Sequence, residues 1–211
     1  MKYICISGQM RAGKNVAGSH LCSLLGFSEA SFAKPVKDIF CSAFCVNSEF
    51  VERWKVIDEP PPGFTKTVRE TLQFIGDGFR QANPNVWVDY AFANNPLKSC
   101  YTDGRYINEL RRVKSEGGVN ILLRRPSHEN NCKNESEAQI KRLVDWFVVN
   151  EVPEGYVGSK LQSAPDGCEL IDFFIVNDGD VPSFYSKLDK LVVPKISRRE
   201  KANFCEQSSI L

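Results

Sequence analysis

Histidine is nearly absent from this chain of 211 residues, which holds only His20 and His128. That scarcity argues against a Ser–His–Asp or Cys–His hydrolytic centre. Cysteine is more plentiful, but Cys5, Cys22, Cys41, Cys45, Cys100, Cys132, Cys168 and Cys205 are scattered and form no C-x-x-C pair. A zinc site is therefore not expected. Neither sign of charge is in excess. With 27 basic and 26 acidic residues the formal net charge is +1, so no direct nucleic-acid binding is expected and any phosphate recognition must be local. No apolar run is long enough to span a bilayer and no signal peptide is evident, which points away from a membrane. The expected setting is a reducing cytoplasm with free thiols.

What is present begins at the N-terminus, in MKYICISGQMRAGKN. An apolar run from Tyr3 to Ile6 leads into Gly8, then four residues, then Gly13 and Lys14. This is the spacing of a phosphate-cradling P-loop: its glycines turn backbone N–H groups inward on an anion, and the following helix N-terminus adds partial positive charge. Gly8, Arg11, Ala12, Gly13, Lys14, Asn15 and Val16 are the expected lining of a phosphate chain, with Lys14 a mobile point charge on its outer phosphates. A Ser or Thr usually follows the lysine and offers its hydroxyl to Mg²⁺. Here Asn15 and Val16 follow, and neither carries a hydroxyl.

Downstream, apolar strands alternate with amphipathic helices. Helical spacing covers Val16–Leu25 and stops at Gly26; Pro35 opens a second helix that runs to Phe44. Residues 47–66 end in a Pro60-Pro61-Pro62-Gly63 loop or hinge. Thr67 and Glu70 form a capping box for the next helix, with Val68, Leu72, Phe74, Ile75 and Phe79 expected on its buried side. After a break at Asn83-Pro84 the helical pattern resumes over VWVDYAFANN. Short buried strands follow at Lys98–Thr102, Val119–Leu123 and Phe173–Val176, with helices over Asn108–Glu116, Glu135 to about Trp146, and Val181–Leu191. The apolar WFVV run at 146–149 also suits a strand. This order predicts an α/β protein: a three-layer fold whose parallel sheet carries helices on both faces, with ligands at the carboxyl ends of the strands. A single domain over 1–193 is expected, with a small lid-like segment at about 124–137, a helical part at about 34–95, and a flexible tail over 194–211.

Three strand ends deliver polar groups in one direction: the P-loop, Asp103-Gly104-Arg105, and Arg124-Arg125. Asp103 beside a P-loop can hold Mg²⁺ directly or through water, which with Asn15 makes the candidate metal pair. Arg105 can fork onto a phosphate. Phosphoryl transfer needs positioned partners and positive charge around the transferred group, and Lys14, Arg69, Arg105, Arg124 and Arg125 supply that charge. Lys34 and Lys37 fit either a solvated helix face or a cleft beside the loop.

Taken in order, SGQMRAGKN, SFAKPVKDIF, TVRETLQFIGDGFRQANPNVWVDYAF, YTDGRYINELRRVKSEGGVNILLRRP and DFFIVNDGDVPSFYSKLDKL resemble the blocks of the deoxynucleoside monophosphate kinases of tailed bacteriophages, over about residues 1–191. The resemblance implies a P-loop kinase fold similar to adenylate and guanylate kinases. It also implies transfer of the ATP γ-phosphate to a deoxynucleoside monophosphate, with Mg²⁺, for nucleotide supply to viral DNA synthesis in the host cytoplasm. By matching position, Gly8, Gly13 and Lys14 hold ATP, while Lys37, Arg69 and Arg105 grip the acceptor phosphate. Gln73 and Trp87 lie near the acceptor's sugar or base, and Arg125 clamps the transferring phosphoryl group. Asp103 is also counted on the substrate side. Members of the family are often dimers, so a homodimer is an expectation of the resemblance alone. The chain departs from the family at Asn15, Val16 and Asn134, where the family has acid, hydroxyl and lid histidine. These changes leave open a nucleotide-binding protein with weak or no turnover, and a third option is another small-molecule P-loop kinase of the dephospho-coenzyme A or phosphomevalonate type.

Overall fold

The structure is a computed structural model that describes residues 2–128, 135–157, 164 and 166–198. The chain divides into two compact units, Met1–Ala30 with Pro96–Leu211, and Ser31–Asn95.

The first unit is a six-stranded sheet in the order β2-β3-β1-β4-β6-β5, where β1 is Tyr3–Gly8, β2 Ser28–Ala30, β3 Ser99–Gly104, β4 Val119–Arg124, β5 Gly155–Tyr156 and β6 Phe173–Val176. All neighbours run parallel except β5 against β6. The short antiparallel β5 was not legible in the sequence, because two residues carry no periodicity. Side chains alternate across each strand, and the two faces bury different sets. Ile4, Ile6, Val119, Ile121, Leu123, Phe173 and Ile175 meet α1 (Lys14–Leu25) and α8 (Val181–Leu191) through Ala17, Leu21, Phe184 and Leu188. On the other residue parity, Phe174 packs its ring 4.9 Å from Phe147 of α7 (Glu135–Val149), and Asn120 donates its amide to the Leu110 carbonyl of α6 (Ile107–Ser115) at 2.9 Å. Burial on both faces explains why the strands read as unbroken apolar runs. The WFVV run is the end of α7, with Phe147 fully buried. The chain is again helical over 193–198, and Ile196 is fully buried in the core, so ordered packing reaches past residue 193. The rest of the expected tail, 199–211, and part of the expected lid, 129–134, lie outside the described residues.

β1 sits mid-sheet, and the chain moves to opposite sides of it through β3 and β4. Parallel α/β sheets open a crevice at such a reversal, outside the carboxyl ends of the strands.

The second unit is helical: α2 (Lys34–Phe44), α3 (Ser48–Trp54), α4 (Val68–Ala82) and α5 (Val86–Asn94). The α3 helix lies inside the stretch that ends in the expected hinge. Asn47 caps it, its side chain accepting the Phe50 N–H at 2.9 Å. The capping box of α4 forms as expected, with reciprocal Thr67–Glu70 bonds of 2.9 and 3.1 Å. Its buried stripe is narrower than expected. Val68, Leu72 and Ile75 face the core formed with Phe40 and Val51, but Phe74 is 76% exposed and Phe79 47%. The stripe follows i, i+4, i+7, and a residue two positions after Leu72 lies about 200° round the helix from it.

Candidate active site

The P-loop occupies the carboxyl end of β1, and its backbone explains its glycines. Gly8 and Gly13 have φ of +153° and +97°, and Arg11 takes φ +65° between them. A Cβ on Gly8 would stand 2.6 Å from the Leu123 carbonyl oxygen, and one on Gly13 would stand 2.7 Å from Asn177 Nδ2. The loop closes through Ala12 N–H onto the Gln9 carbonyl at 3.2 Å, and Gly13 is the N-cap of α1, whose first turn holds no acidic residue. Its first N–H groups and its dipole are thus not taken up by a side-chain carboxylate of its own first turn and suit a bound anion.

Lys14 folds back over this loop, its Nζ donating to the carbonyls of Gly8 at 2.7 Å and Gln9 at 2.9 Å. Burial, and then the nearby Arg105 guanidinium, lower its pKa to about 8; the carboxylates of Asp103 and Glu137 pull the other way. The depressed value means that the fold disfavours the ammonium. Folding stability carries that penalty in full below about pH 8 and sheds it as pH rises towards the ordinary lysine value. Phosphate binding has the opposite sign, since it needs the charged form. ATP affinity should fall as pH rises past 8, by at most about tenfold per pH unit for one linked proton. Calorimetric titrations on either side of that pH measure it; a flat affinity would contradict a direct role for the ammonium.

Asp103 and Arg105 come from the end of β3, beside β1. Glu109, almost fully buried, accepts the Arg105 N–H at 2.7 Å and the Tyr106 N–H at 3.1 Å, fixing the backbone from which the guanidinium projects. The Arg105 side chain remains 45% exposed, with Glu137 of α7 at 3.9 Å. The end of β4 supplies Arg124 and Arg125, both half-buried.

A cavity of about 260 Å³ opens beside the loop, lined by Gly13, Val16, Arg125, Asn177, Gly179 and Phe184. Asn177 is tied to both the phosphate loop and the end of β4. Its side-chain amide donates to the Ala12 carbonyl at 3.1 Å, and its backbone N–H donates to Arg124 at 2.7 Å. Sequence reasoning marked Asn177-Asp178-Gly179 only as a turn and assigned no role to Asn177, Glu109 or Glu137. Nothing local in the chain signals a contact 165 positions apart, as between Asn177 and Ala12.

The donors here are hard oxygens: the Asp103 carboxylate, the exposed Asn15 amide, and Gln9 Oε1, which is buried with no hydrogen-bonding partner. No group of three or more His, Cys, Asp or Glu that could hold a metal occurs among the described residues. That set suits Mg²⁺, which keeps several waters and binds through one or two carboxylates plus substrate phosphates.

The remaining candidates belong to the second unit. Arg69 and Gln73 are exposed, one helical turn apart on α4. Lys37 pairs with Glu52 at 2.8 Å, and Glu52 also contacts Lys55. Trp87 is only 3% exposed and donates its indole N–H to the Gly76 carbonyl at 3.0 Å, so its ring is committed to the packing of α5 on α4. Asn134 lies outside the described residues.

The sheet order, the glycine-turned loop on β1 and the lysine over that loop define an α/β fold built around a phosphate-binding P-loop. No model of a known protein family matches the chain. Its sequence is 28% identical over 169 residues to a protein of Acanthamoeba polyphaga mimivirus named "Putative deoxynucleotide monophosphate kinase", covering 71% of this chain and 87% of that one. In backbone it is similar to a shikimate kinase from Acinetobacter baumannii (17% identity, 92% of this chain and 94% of that one, TM-score 0.46). A dephospho-CoA kinase from Campylobacter jejuni is also similar (16% identity, 94% and 98%, TM-score 0.43). No helix among the described residues is long and apolar enough to cross a membrane.

Proposed function

We propose that the protein transfers the γ-phosphate of ATP to a deoxynucleoside monophosphate, giving a deoxynucleoside diphosphate and ADP. The observation that carries this reading is the meeting of a P-loop and its lysine with Asp103, Arg105 and Glu137, and with an open cavity beside the loop. The loop suits a phosphate chain and the cavity a nucleoside. The ordered sequence blocks and the name of the mimivirus relative favour a deoxynucleotide as acceptor.

In this reading Gly8 to Val16 bind the donor phosphates through backbone N–H groups, and Lys14 leaves the Gly8 and Gln9 carbonyls for the outer phosphates. The cavity takes the adenosine, and Arg125 on its rim steadies the transferring group. Arg105 holds the acceptor phosphate, exchanging its loose contact with Glu137 for a charge-assisted one. In the second unit, Arg69 and Gln73 present polar groups from one helix face, Lys37 adds charge, and Trp87 supports α4 from behind. Asn15 and Asp103 would hold Mg²⁺, which when bound supplies positive charge to the phosphates. A homodimer remains part of the proposal on the resemblance alone.

The reading is tested by following ADP release from ATP with Mg²⁺ against each deoxynucleoside monophosphate in turn. Acceptor-dependent turnover supports it. Turnover only with dephospho-coenzyme A or phosphomevalonate replaces it with another small-molecule kinase. Tight nucleotide binding with no turnover supports the binding-protein reading, which the missing hydroxyl at Asn15 and Val16 favours. Arg105→Ala should raise the acceptor KM and lower kcat together, costing roughly a hundredfold or more in kcat/KM, as loss of one preorganised charge clamp does. An effect confined to the ATP KM would remove Arg105 from the acceptor side.

A further inference from the structure

The turn from Asn177 to Asp180 lines the cavity through Asn177, Gly179 and Asp180, and side chains hold the strand end that leads into it. Peptide groups alternate sides along a strand. Because the Asn177 N–H is donated to Arg124 on the β4 side, at 2.7 Å, the N–H and carbonyl of Val176 face the opposite edge of β6. Among the described residues the strand there is β5, which is two residues long and pairs with Phe173 and Phe174. Among them Val176 therefore has no strand partner on that edge, and an unpaired strand end would leave the following turn loose. Side chains supply the partners instead. Glu154 Oε1 accepts the Val176 N–H at 2.8 Å, and Lys187 Nζ donates to the Val176 carbonyl at 2.9 Å. The same ammonium reaches Asp178 in the turn at 2.7 Å and Glu154 at 3.3 Å.

From α8, one lysine thus ties together the end of β6, the turn, and the residue before β5. Lys187 does not line the cavity; it fixes the backbone that does. Gly13, Val16 and Arg125, which also line the cavity, are carried by the phosphate loop, α1 and the end of β4, and Lys187 makes no bond to them.

We infer that Lys187, together with Glu154, is a positioning residue that holds the turn 177–180 ready for the nucleoside part of the donor, and that it sets affinity for that part without altering affinity for the phosphate chain. The inference rests on the reading of the cavity as a nucleoside site. A wall already ordered before binding spares the ligand the cost of ordering it.

The test compares binding of ATP and of inorganic tripolyphosphate by the full chain, in wild type, Lys187→Met, Lys187→Arg and Glu154→Ala, with melting temperatures alongside. Lys187→Met should weaken ATP by roughly tenfold or more, the scale of lost charge-assisted hydrogen bonds, while tripolyphosphate stays within about twofold. Glu154→Ala should act in the same direction, and Lys187→Arg should recover part of the loss. If Lys187→Met does not fold, Glu154→Ala carries the test. A parallel loss for both ligands, or no loss for either, overturns the inference alone. A wild-type protein that binds ATP no more tightly than tripolyphosphate overturns the nucleoside reading of the cavity and the inference with it.

Discussion

Replacing Lys14 by methionine should cut phosphoryl transfer severely while leaving the fold about as stable as before. The loss of rate should be roughly a thousandfold, about 4 kcal/mol of transition-state stabilisation, the upper range for one preorganised donor. The stability side follows from the environment. Burial and the Arg105 guanidinium hold this ammonium well below its ordinary pKa, so the charge opposes folding at pH 7, and an apolar stem of similar length removes that opposition. Its two contacts, to the Gly8 and Gln9 carbonyls, are lost in exchange. Both carbonyls belong to buried residues, so the loss of these bonds offsets part of the gain. Steady-state kinetics with a thermal melt at pH 7 reads both quantities. A clear drop in melting temperature would show that Lys14 is chiefly a structural clasp, and retained turnover would remove it from catalysis. Such a group, costly to the fold and needed by the ligand, illustrates the trade between stability and activity at functional sites.

Gly8→Ala should fail for the opposite reason, through the fold itself. The added Cβ would lie 2.6 Å from the Leu123 carbonyl oxygen, a backbone atom of the neighbouring strand, at φ +153°. No rotamer change relieves such a contact, so β1 and β4 must separate or the loop must change path. The cost should be about 3 kcal/mol or more, combining backbone strain with overpacking. Urea denaturation measures it, and nucleotide binding should be lost alongside. Gly13 is a milder case, since its added Cβ meets the movable side-chain amide of Asn177 at 2.7 Å. Gly13→Ala should therefore cost less than Gly8→Ala; the reverse order would place the steric centre of the loop at α1 rather than at the sheet.

The sequence by itself determined the elements whose signals are local. Gly8, Gly13 and Lys14 have meaning at short range because a phosphate loop is built from the backbone of consecutive residues. Thr67 and Glu70 announce the start of α4 because a capping box spans four residues. Unbroken apolar runs at β1, β4 and β6 reveal strands buried on both faces. The same logic misled at Phe74, where hydrophobicity was read without the helix angle, and it could not see β5, which is too short to show a period.

Only the tertiary structure decided which of these pieces meet. Asn177 reaches Ala12 across 165 positions, Glu109 holds the backbone of Arg105, and Glu137 on α7 acts on both Arg105 and Lys14. It also gave the turn after β6 its anchor at Lys187 and turned the ring of Trp87 towards Gly76. The physical reason is range. Capping, turn chemistry and periodicity act within a few residues of the chain, whereas a parallel sheet joins strands only through long crossovers, so its strand ends converge from distant stretches of sequence.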